Sequence, residues 1–594
     1  MHAGELDPVT LEILRNRLET IADAMQHTLL RSAVSVILKE GEDGSSGLFL
    51  PNGETIAQAC ACPIHLTVMP QAVRAVTAWF PLAGMEKGDA YVLNDPYNGG
   101  THLPDILMVV PVVVDGRVVA FAVALGHQED VGGIDPGSMS ANARELYQEG
   151  LVIPPSPWLR GGVPVATTQA FVRYNVRLPD TVMGDLAAEL AACMLGARHF
   201  ERLIDDYGQE PVDTAIAALF DQAEARVRRG IGAIPDGTYR FVDYAESHRA
   251  DRERLPVHCA VTVAGTDVHV DFTGTAPQQD GPINVNLAGT TSAVHTILRG
   301  LTDPDAPLNE GAVRPITVTA PPGCLLAAQR PAAIALRAQV SQRPGDAVLG
   351  ALSLAVPTPL IAASHGGNQV ISFGGIDEQG ERFGSTDLTA GGLGARWNQD
   401  GIDHIEYGFS NCQTPPAEAW EAHYPIMVVE DTPIVDSGGA GRFRGGLGVR
   451  RAFRILHGPV ASCHRAERFN SSPWGVKGGA PGRRARAYVI RAGGEVEPVH
   501  AKQVLVLEAD DVVVIETAGG GGYGDPLTRP PERVALDVAD RKISAEAAAE
   551  QYGVRVLDDG CGFDAEATAA LRARLAAARG PIDWTLDRGP DGRL

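Results

Sequence analysis

Long hydrophobic runs are scarce in this sequence of 594 residues, and their absence removes whole classes of protein. The longest apolar stretches, such as Ile106–Val114, contain proline or stop well short of the ~20 residues that a membrane-spanning helix needs. The amino-terminal stretch carries acidic and basic residues where a secretory signal needs an apolar core. We therefore expect neither membrane insertion nor secretion, and we predict a cytoplasmic protein.

Cysteine is also sparse, with eight residues spread along the chain and no CxxC pair among them. This spacing is typical of reduced, mostly buried thiols and not of a disulfide framework. Cys60 and Cys62 lie near His65 in the stretch "QACACPIH". Because buried cysteine is usually a packing residue, an isolated CxC motif favours packing over a soft-metal site.

Positive charge is in short supply: 50 Lys and Arg stand against 73 Asp and Glu, which gives a formal net charge of -23. A nucleic-acid binder needs clustered Lys and Arg to displace counterions, so this function is excluded. The GxxxxGK[ST] phosphate loop and the GxSxG nucleophile elbow are both missing. The stretch "TAGGGGYGDP" at 517–526 lacks the lysine of a phosphate loop, and we predict a flexible loop or tight turn there.

The sequence predicts a mixed α+β, multi-domain fold. Asp7 and Pro8 are typical of an N-cap and a first helical residue, and the apolar spacing that follows predicts an amphipathic helix of about 25 residues. Helical periodicity returns around 185–208 and 213–231, and alternating strands follow from about 239. The carboxyl-terminal half is Gly-rich and predicted to be dominated by loops. We divide the chain into an N-terminal metal-binding α/β region (1–234), a β-rich segment (235–280), a Gly/Pro-rich mixed region (281–525) and a helical tail (526–594).

Two polar clusters, "NDPYNGGTHLPDI" at 94–106 and "GHQEDVGG" at 126–133, flank two apolar runs. The runs are joined by Asp115-Gly116, a strong signal for a two-residue hairpin. With Val114 opposite Arg117, His102 would lie opposite Glu129 and Asp105 opposite Gly126. This pairing predicts that the two clusters meet at the open end of one hairpin, which would gather His102, Asp105, His127 and Asp130.

Two imidazoles with two or three carboxylates form a mixed nitrogen and oxygen donor set. Such a set suits Zn²⁺, Mn²⁺ or Fe²⁺ and is too rich in nitrogen for a Ca²⁺ or Mg²⁺ cage. Any one of these side chains alone is equally explained as a turn cap, because Asn and Asp favour Asx turns. Taken together, the four favour a divalent metal site.

Seven stretches carry a resemblance to a known family: "DPVTLEILRNRL", "DPYNGGTHLPDI", "GHQEDVGGIDPGSMS", "ELYQEGLVIPP", "SQRPGDAVLGAL", "DSGGAGRFRGGLGVRR" and "GGGGYGDP". They resemble the hydantoinase B family, which includes N-methylhydantoinase beta subunits, the C-terminal half of 5-oxoprolinase, caprolactamase beta subunits and acetone carboxylase alpha subunits. The similarity runs from Asp7 to about Tyr552.

The resemblance implies a metal-bearing subunit of an ATP-dependent cyclic amide hydrolase. A separate hydantoinase A type subunit would hold ATP and phosphorylate the substrate, so a hetero-oligomer is expected. Carried over position by position, the metal ligands would be Asp43, His102, Asp105 and His127, and Asp130 would be an outer group or a further ligand. Nothing in the residues alone singles out Asp43, because "EGEDGSS" has the composition of a solvated turn.

The sequence departs from the family pattern where Gln128 replaces a second histidine that often follows the first. The stretches "AQVSQR" and "SHGGNQ" also differ, and all three departures leave the substrate undetermined among lactams, hydantoins and ketones. Asp130, His65 and Glu129 are the candidates for a general base. Two alternatives remain open: an ATP-dependent ketone carboxylase subunit, and a non-catalytic scaffold whose metal is structural.

Overall fold

The computed structural model describes residues 6–249, 254–355, 361–557 and 562–594. Within these ranges, no helix combines the length and the apolar character that crossing a membrane requires. The chain is a mixed α+β protein with several sheets, as predicted.

The first sheet lies in the amino-terminal part of the chain and holds the predicted hairpin. Helix α1 covers 25 residues as expected, and the Asp7 side chain caps it by accepting from the backbone N–H groups of Val9 and Thr10. The elements in chain order are α1 (Pro8–Ser32), α2 (Val36–Lys39), β1 (Gly44–Phe49), β2 (Thr55–Gln58), α3 (Val68–Trp79), β3 (Ala90–Leu93), β4 (Asp105–Val114), β5 (Arg117–His127), β6 (Ser156–Arg160), β7 (Val163–Pro164), α4 (Ala166–Asn175), α5 (Pro179–Tyr207) and α6 (Gln209–Ile231).

This sheet has the strand order β2-β1-β5-β4-β3-β6-β7. Its central strands are covered on both faces, because α1 and α5 pack on one side and α3 on the other. Met108 belongs to the first of these cores and its neighbour Val109 to the second. Burial on both faces explains why β4 is a nearly continuous apolar run, without the alternation of a strand that has one wet face.

The second sheet packs against helices from the middle of the chain. Its order is β11-β10-β9-β8, and β10 and β11 are parallel. Since β11 lies beyond residue 280, this sheet extends past the predicted β-rich segment; the division into four regions stays a prediction. The elements are β8 (Gly237–Glu246), β9 (Arg254–Ala264), β10 (Asp267–Asp271), α7 (Leu287–Thr302), β11 (Ile316–Thr319), α8 (Arg337–Val340) and α9 (Arg343–Ser353).

The carboxyl-terminal half contains two further antiparallel sheets, with the orders β13-β12-β16-β20 and β14-β15-β21-β18-β19. They share one core, in which the rings of Phe373 and Phe453 lie 5.4 Å apart. The glycines and prolines between the strands concealed these sheets in the sequence. The elements are β12 (Gln369–Ile376), β13 (Arg382–Thr389), α10 (Ala417–His423), β14 (Ile426–Pro433), β15 (Val449–Ile455), β16 (Val460–Arg465), β17 (Gly475–Val476), β18 (Arg486–Ile490), β19 (Val496–Val499), β20 (Lys502–Leu507), β21 (Val512–Glu516), α11 (Pro531–Ala539), α12 (Ala545–Glu550), α13 (Ala565–Arg579) and β22 (Leu586–Asp587).

The glycine run Gly519–Gly522 is buried, and the prediction of a flexible loop or tight turn is wrong. An added Cβ at Gly520 would lie 1.9 Å from the carbonyl oxygen of Leu393, and one at Gly519 would lie 1.9 Å from that of Ser437. The backbone of Gly520 also donates to Gly446 O at 2.9 Å. Glycine is required here because other segments of backbone pass too close for any side chain.

Candidate metal centre

Asp105 and His127 form a cross-strand pair at the open end of the β4-β5 hairpin. The turn at Asp115-Gly116 has positive φ at both residues, 48° and 71°, as a two-residue hairpin turn demands. The pairing shifts by one residue between Val112 and Val113. Because of this bulge, Asp105 lies opposite His127, and the predicted pairing of Asp105 with Gly126 is wrong by one position. His102 precedes β4, so the predicted pairing with Glu129 does not form as part of the β4-β5 ladder.

The shifted register brings the side chains of Asp105 and His127 onto one face, with 3.0 Å between Oδ1 and Nδ1. His102 lies in the turn that precedes β4, and its Nε2 is 3.0 Å from Asp105 Oδ1 and 3.2 Å from His127 Nδ1. All three residues are at least 95% buried. Three potential ligand atoms therefore converge in a dry pocket, in line with the predicted meeting of the two polar clusters.

The protonation of His102 is fixed by its surroundings. Its Nδ1 lies 2.9 Å from the carbonyl oxygen of Ala335, which can only accept a hydrogen bond. Burial lowers the pKa of His102 to about 4, so the ring is neutral at pH 7. A neutral ring that donates through Nδ1 directs the lone pair of Nε2 at Asp105 and His127, which is the form of histidine that binds a metal.

Asp43 reaches the same point because β1 pairs with β5. Gly44 lies opposite Gly126, and the backbone N–H of His127 donates to Asp43 O at 3.0 Å. The Asp43 carboxylate then lies beside the imidazole, with 3.9 Å between Oδ2 and Nδ1 of His127. Of the four residues carried over as ligands from the resemblance, His102, Asp105 and His127 converge on one point, and Asp43 lies beside this group.

This donor set fits a divalent metal ion. Ligand bonds of ~2.1 Å at angles near 90–100° separate neighbouring ligand atoms by about 3.0–3.2 Å, which is the spacing of the three converging atoms. The second oxygen of Asp105 contacts Arg337 and Thr101, which leaves Oδ1 for the cation. Despite burial, which raises it, the pKa of Asp105 is held well below its usual range by His102 and by the ion pair with Arg337.

The centre opens into a cavity with an empty volume of about 600 Å³. His127 and loop residues of the amino-terminal part line one side of the cavity. Helix α8, the strands β12, β13 and β16, and the loop at 409–412 contribute to the other side. Three side-chain amides in this wall, those of Gln339, Gln342 and Asn368, have a buried oxygen without a hydrogen-bond partner within the described residues. The cavity therefore offers unpaired amide groups close to the candidate metal ligands.

The three candidates for a general base occupy different surroundings. His65 lines the cavity, with Nε2 3.6 Å from Asp105 Oδ2 and Nδ1 3.0 Å from Ser45 Oγ. Asp130 is bound by Arg177 at 3.0 Å and by three backbone N–H groups, and it lines a separate cavity. Glu129 accepts from the Tyr424 hydroxyl at 2.9 Å, and burial raises its pKa to about 8. Neither Glu129 nor Asp130 is among the described residues that line the metal cavity.

Several residues at the site carried no local signal in the sequence. Arg337 immediately precedes the stretch "AQVSQR", and Cys412 comes from a loop in the carboxyl-terminal half. Both reach the cavity only because the second half of the chain folds over the first. The seven described cysteines are unpaired, and six of them are buried, whereas Cys561 lies outside the described residues.

Comparison with known proteins gives one consistent family. The sequence profile described as hydantoinase B/oxoprolinase matches residues 7–526. The B component of a putative D-/L-hydantoinase from a Pseudomonas species is 31% identical over 96% of this chain and 98% of its own length. The beta chain of the caprolactamase of Pseudomonas jessenii is 31% identical over 96% of this chain and 99% of its own length.

Two solved structures share the fold. The crystal structure of the ATP-dependent caprolactamase from Pseudomonas jessenii has a TM-score of 0.87 and 29% identity, and covers 96% of this chain and 100% of that one. The nucleotide-free structure of acetone carboxylase has a TM-score of 0.89 and 21% identity, and covers 96% of this chain and 83% of that one. At this lower identity, the second likeness extends to the fold alone.

Proposed function

The chain belongs to the hydantoinase B/oxoprolinase family, and from this premise we propose that it is the metal-dependent, hydantoinase B type subunit of an ATP-dependent cyclic amide hydrolase. The observation that carries the proposal is the convergence of His102, Asp105 and His127 within 3.2 Å at the edge of a cavity. Relatives named as subunits support a partner, for which we propose a hydantoinase A type subunit that holds ATP and phosphorylates the substrate.

A divalent cation held by Asp43, His102, Asp105 and His127, of the Zn²⁺, Mn²⁺ or Fe²⁺ class, supplies Lewis acidity that polarises a carbonyl group and acidifies water. Side chains of this chain bind the substrate and position the ligands. Gln339, Gln342 and Asn368 present amide oxygens that can accept a hydrogen bond from the N–H group of a cyclic amide. Arg337 holds Asp105 in place through its second oxygen.

His65 is the base that we assign among the three candidates. Its Nε2 accepts a proton from the water that adds to the phosphorylated carbon. Both protons of that water end on the ring nitrogen as the C–N bond breaks, and a second water hydrolyses the remaining acyl phosphate and releases inorganic phosphate. Ser45 orients the imidazole from the opposite nitrogen at 3.0 Å. Arg465 lines the same cavity and is buried, so its guanidinium is placed to bind the phosphoryl group that the partner adds.

The test is to purify the chain together with its hydantoinase A type partner and to supply lactams, hydantoins and ketones with ATP and labelled bicarbonate. Hydrolysis opens a cyclic amide in proportion to the ATP consumed and fixes no label. Incorporation of label into a ketone product would replace the proposal by the carboxylase alternative. Metal without any turnover would replace it by the scaffold alternative.

A further inference from the structure

A second group of potential metal ligands lies next to the first group of His102, Asp105 and His127, with Asp43 between the two groups. Asp43, Cys62 and His65 each present a ligand atom within 4.8 Å of those of the other two. Cys412 comes from the other half of the chain, and its Sγ lies 3.6 Å from Cys62 Sγ. The two cysteines are 1% and 5% exposed, so the cluster is dry.

The two sulfurs are in contact, at a spacing that two ligands of one metal ion would also have. Two thiolates on one tetrahedral Zn²⁺, each with a bond of ~2.3 Å, lie about 3.8 Å apart. A disulfide would require about 2.05 Å between the same atoms. The observed 3.6 Å is close to the first value and far from the second.

The surroundings of the sulfurs are not those of cysteine used only for packing. Cys62 Sγ lies 3.8 Å from Asp43 Oδ1 and 3.7 Å from the carbonyl oxygen of Glu42. The hydroxyl group of Ser410 donates to Cys412 Sγ at 3.5 Å. Apolar side chains such as Ile64 and Phe409 pack against the pair.

Asp43 connects the two groups because its two oxygens face different ways. Oδ1 lies 3.8 Å from Cys62 Sγ, whereas Oδ2 lies 3.9 Å from His127 Nδ1. A carboxylate in this position can bridge two cations, which in two-metal sites are ~3.5–4 Å apart.

We propose that Cys62, Cys412 and Asp43 bind a second, thiophilic divalent cation of the Zn²⁺ class, next to the first and sharing Asp43 with it. Only the sharing of Asp43 between two cations rests on the proposed function, because Cys62 and Cys412 could bind the second cation without the first. Three protein ligands leave one position of a tetrahedral ion open. The bound ion would join the loop at Cys62 to the loop at Cys412 and so fix one wall of the cavity. The CxC motif, assigned to packing in the sequence, thereby gains a ligand in Cys62.

Cadmium is the probe, because Cd²⁺ binds thiolates and gives a thiolate-to-metal charge-transfer absorption in the ultraviolet. The full chain is titrated with Cd²⁺, and bound metal is counted by mass spectrometry after removal of the excess. We expect two bound ions per chain and a charge-transfer band. Cys60→Ser is the matched control, since Cys60 is exposed in the same motif, and it should keep both signals.

Cys62→Ser and Cys412→Ser should each lose the band and one bound ion while retaining the other, and that retained ion reports that the variant has folded. His102→Ala should lose one ion but keep the band, so failure of the first site is distinguishable from failure of the second. The proposal is overturned if the wild-type chain shows no band, or if the band survives in both cysteine variants. A Cys62–Cys412 disulfide in the metal-treated protein would overturn it as well.

Discussion

Glu149 and His102 are connected through a single residue, Ala335. Glu149 Oε1 accepts the backbone N–H groups of Ile334 and Ala335 at 2.7 Å each, and the carbonyl oxygen of Ala335 faces His102 Nδ1 at 2.9 Å. A buried carboxyl group therefore positions the backbone that orients a candidate metal ligand. Partners of this kind fix the ring orientation of metal-binding histidines.

Glu149→Leu should weaken metal binding, because it removes the acceptor of two buried N–H groups and frees the Ala335 carbonyl to move. Loss of such a partner lowers metal affinity by about 10–100-fold. Glu149→Gln keeps an oxygen in place and should bind metal nearly as well as the wild type. Competition with a metal-sensitive dye measures both affinities; equal affinities for the Leu variant and the wild type would contradict the positioning role.

The stability of the protein should depend on the protonation of Glu149. Burial raises the pKa of this carboxyl group to about 8 in the folded protein, so the folded state holds the proton more tightly than the unfolded state. The contribution of Glu149 to the free energy of unfolding is fully present below the unfolded pKa of ~4.3. It is lost as the pH rises toward 8, and the loss in free energy of unfolding is on the order of several kcal/mol. The thermal midpoint of Glu149→Gln should fall less than that of the wild type between pH 5 and pH 8, and parallel curves would refute this.

His102→Ala and His127→Ala should each remove most of the metal at the first position and abolish turnover, because each deletes one of three converging ligand atoms. His269→Ala is the control, since that histidine is exposed and lies on β10. Metal content by mass spectrometry and ATP-dependent turnover are the measurements. Full activity without bound metal in either variant would rule out the metal-dependent reaction.

His65→Ala should lower kcat by about 10²–10⁴-fold while the metal at the first position stays bound, as expected for loss of a general base. Ser45→Ala should cause a smaller loss, because it frees the ring without removing it. Added imidazole should restore part of the activity of His65→Ala and none of that of His102→Ala. Assignment of the base to His65 fails if kcat is unchanged in His65→Ala.

Gly520→Ala should prevent folding or destabilise the protein by more than about 4 kcal/mol, because the new methyl group would overlap the Leu393 carbonyl. Gly493→Ala is the matched control, since nothing lies within 4 Å of its added Cβ. Soluble yield and the thermal midpoint distinguish the two variants. A Gly520→Ala protein as stable as the control would show that the interlocked backbones can separate at little cost.

Local patterns predicted the elements that depend on nearby residues. Helix α1 follows from the Asp7 cap and its apolar spacing, and the hairpin follows from Asp115-Gly116. The one-residue error in register arose because a bulge between Val112 and Val113 leaves no mark in an apolar run. That error matters chemically, since the bulge places Asp105 rather than Pro104 opposite His127.

Contacts between distant segments could not be predicted from local sequence patterns. Asp43 meets His127 through the pairing of β1 with β5, and only the family resemblance pointed to it. Cys412 approaches Cys62 through the docking of the carboxyl-terminal half, for which neither periodicity nor spacing gives a signal. The glycine run Gly519–Gly522 was misinterpreted for the same reason, because its sequence does not show which distant segments of backbone pack against it.

The cavity takes its walls from residues as far apart as Asp43 and Arg465, and this separation bears on how the protein is made. A ribosome must synthesise most of the polypeptide before the pocket can close, and such non-local closure is slow. Before the pocket closes, its imidazole and thiol groups are exposed to solvent and accessible to transition-metal ions. For the metal-dependent function proposed above, we expect the metal that is bound to depend on the metal supply during synthesis, which expression at controlled metal concentrations would test.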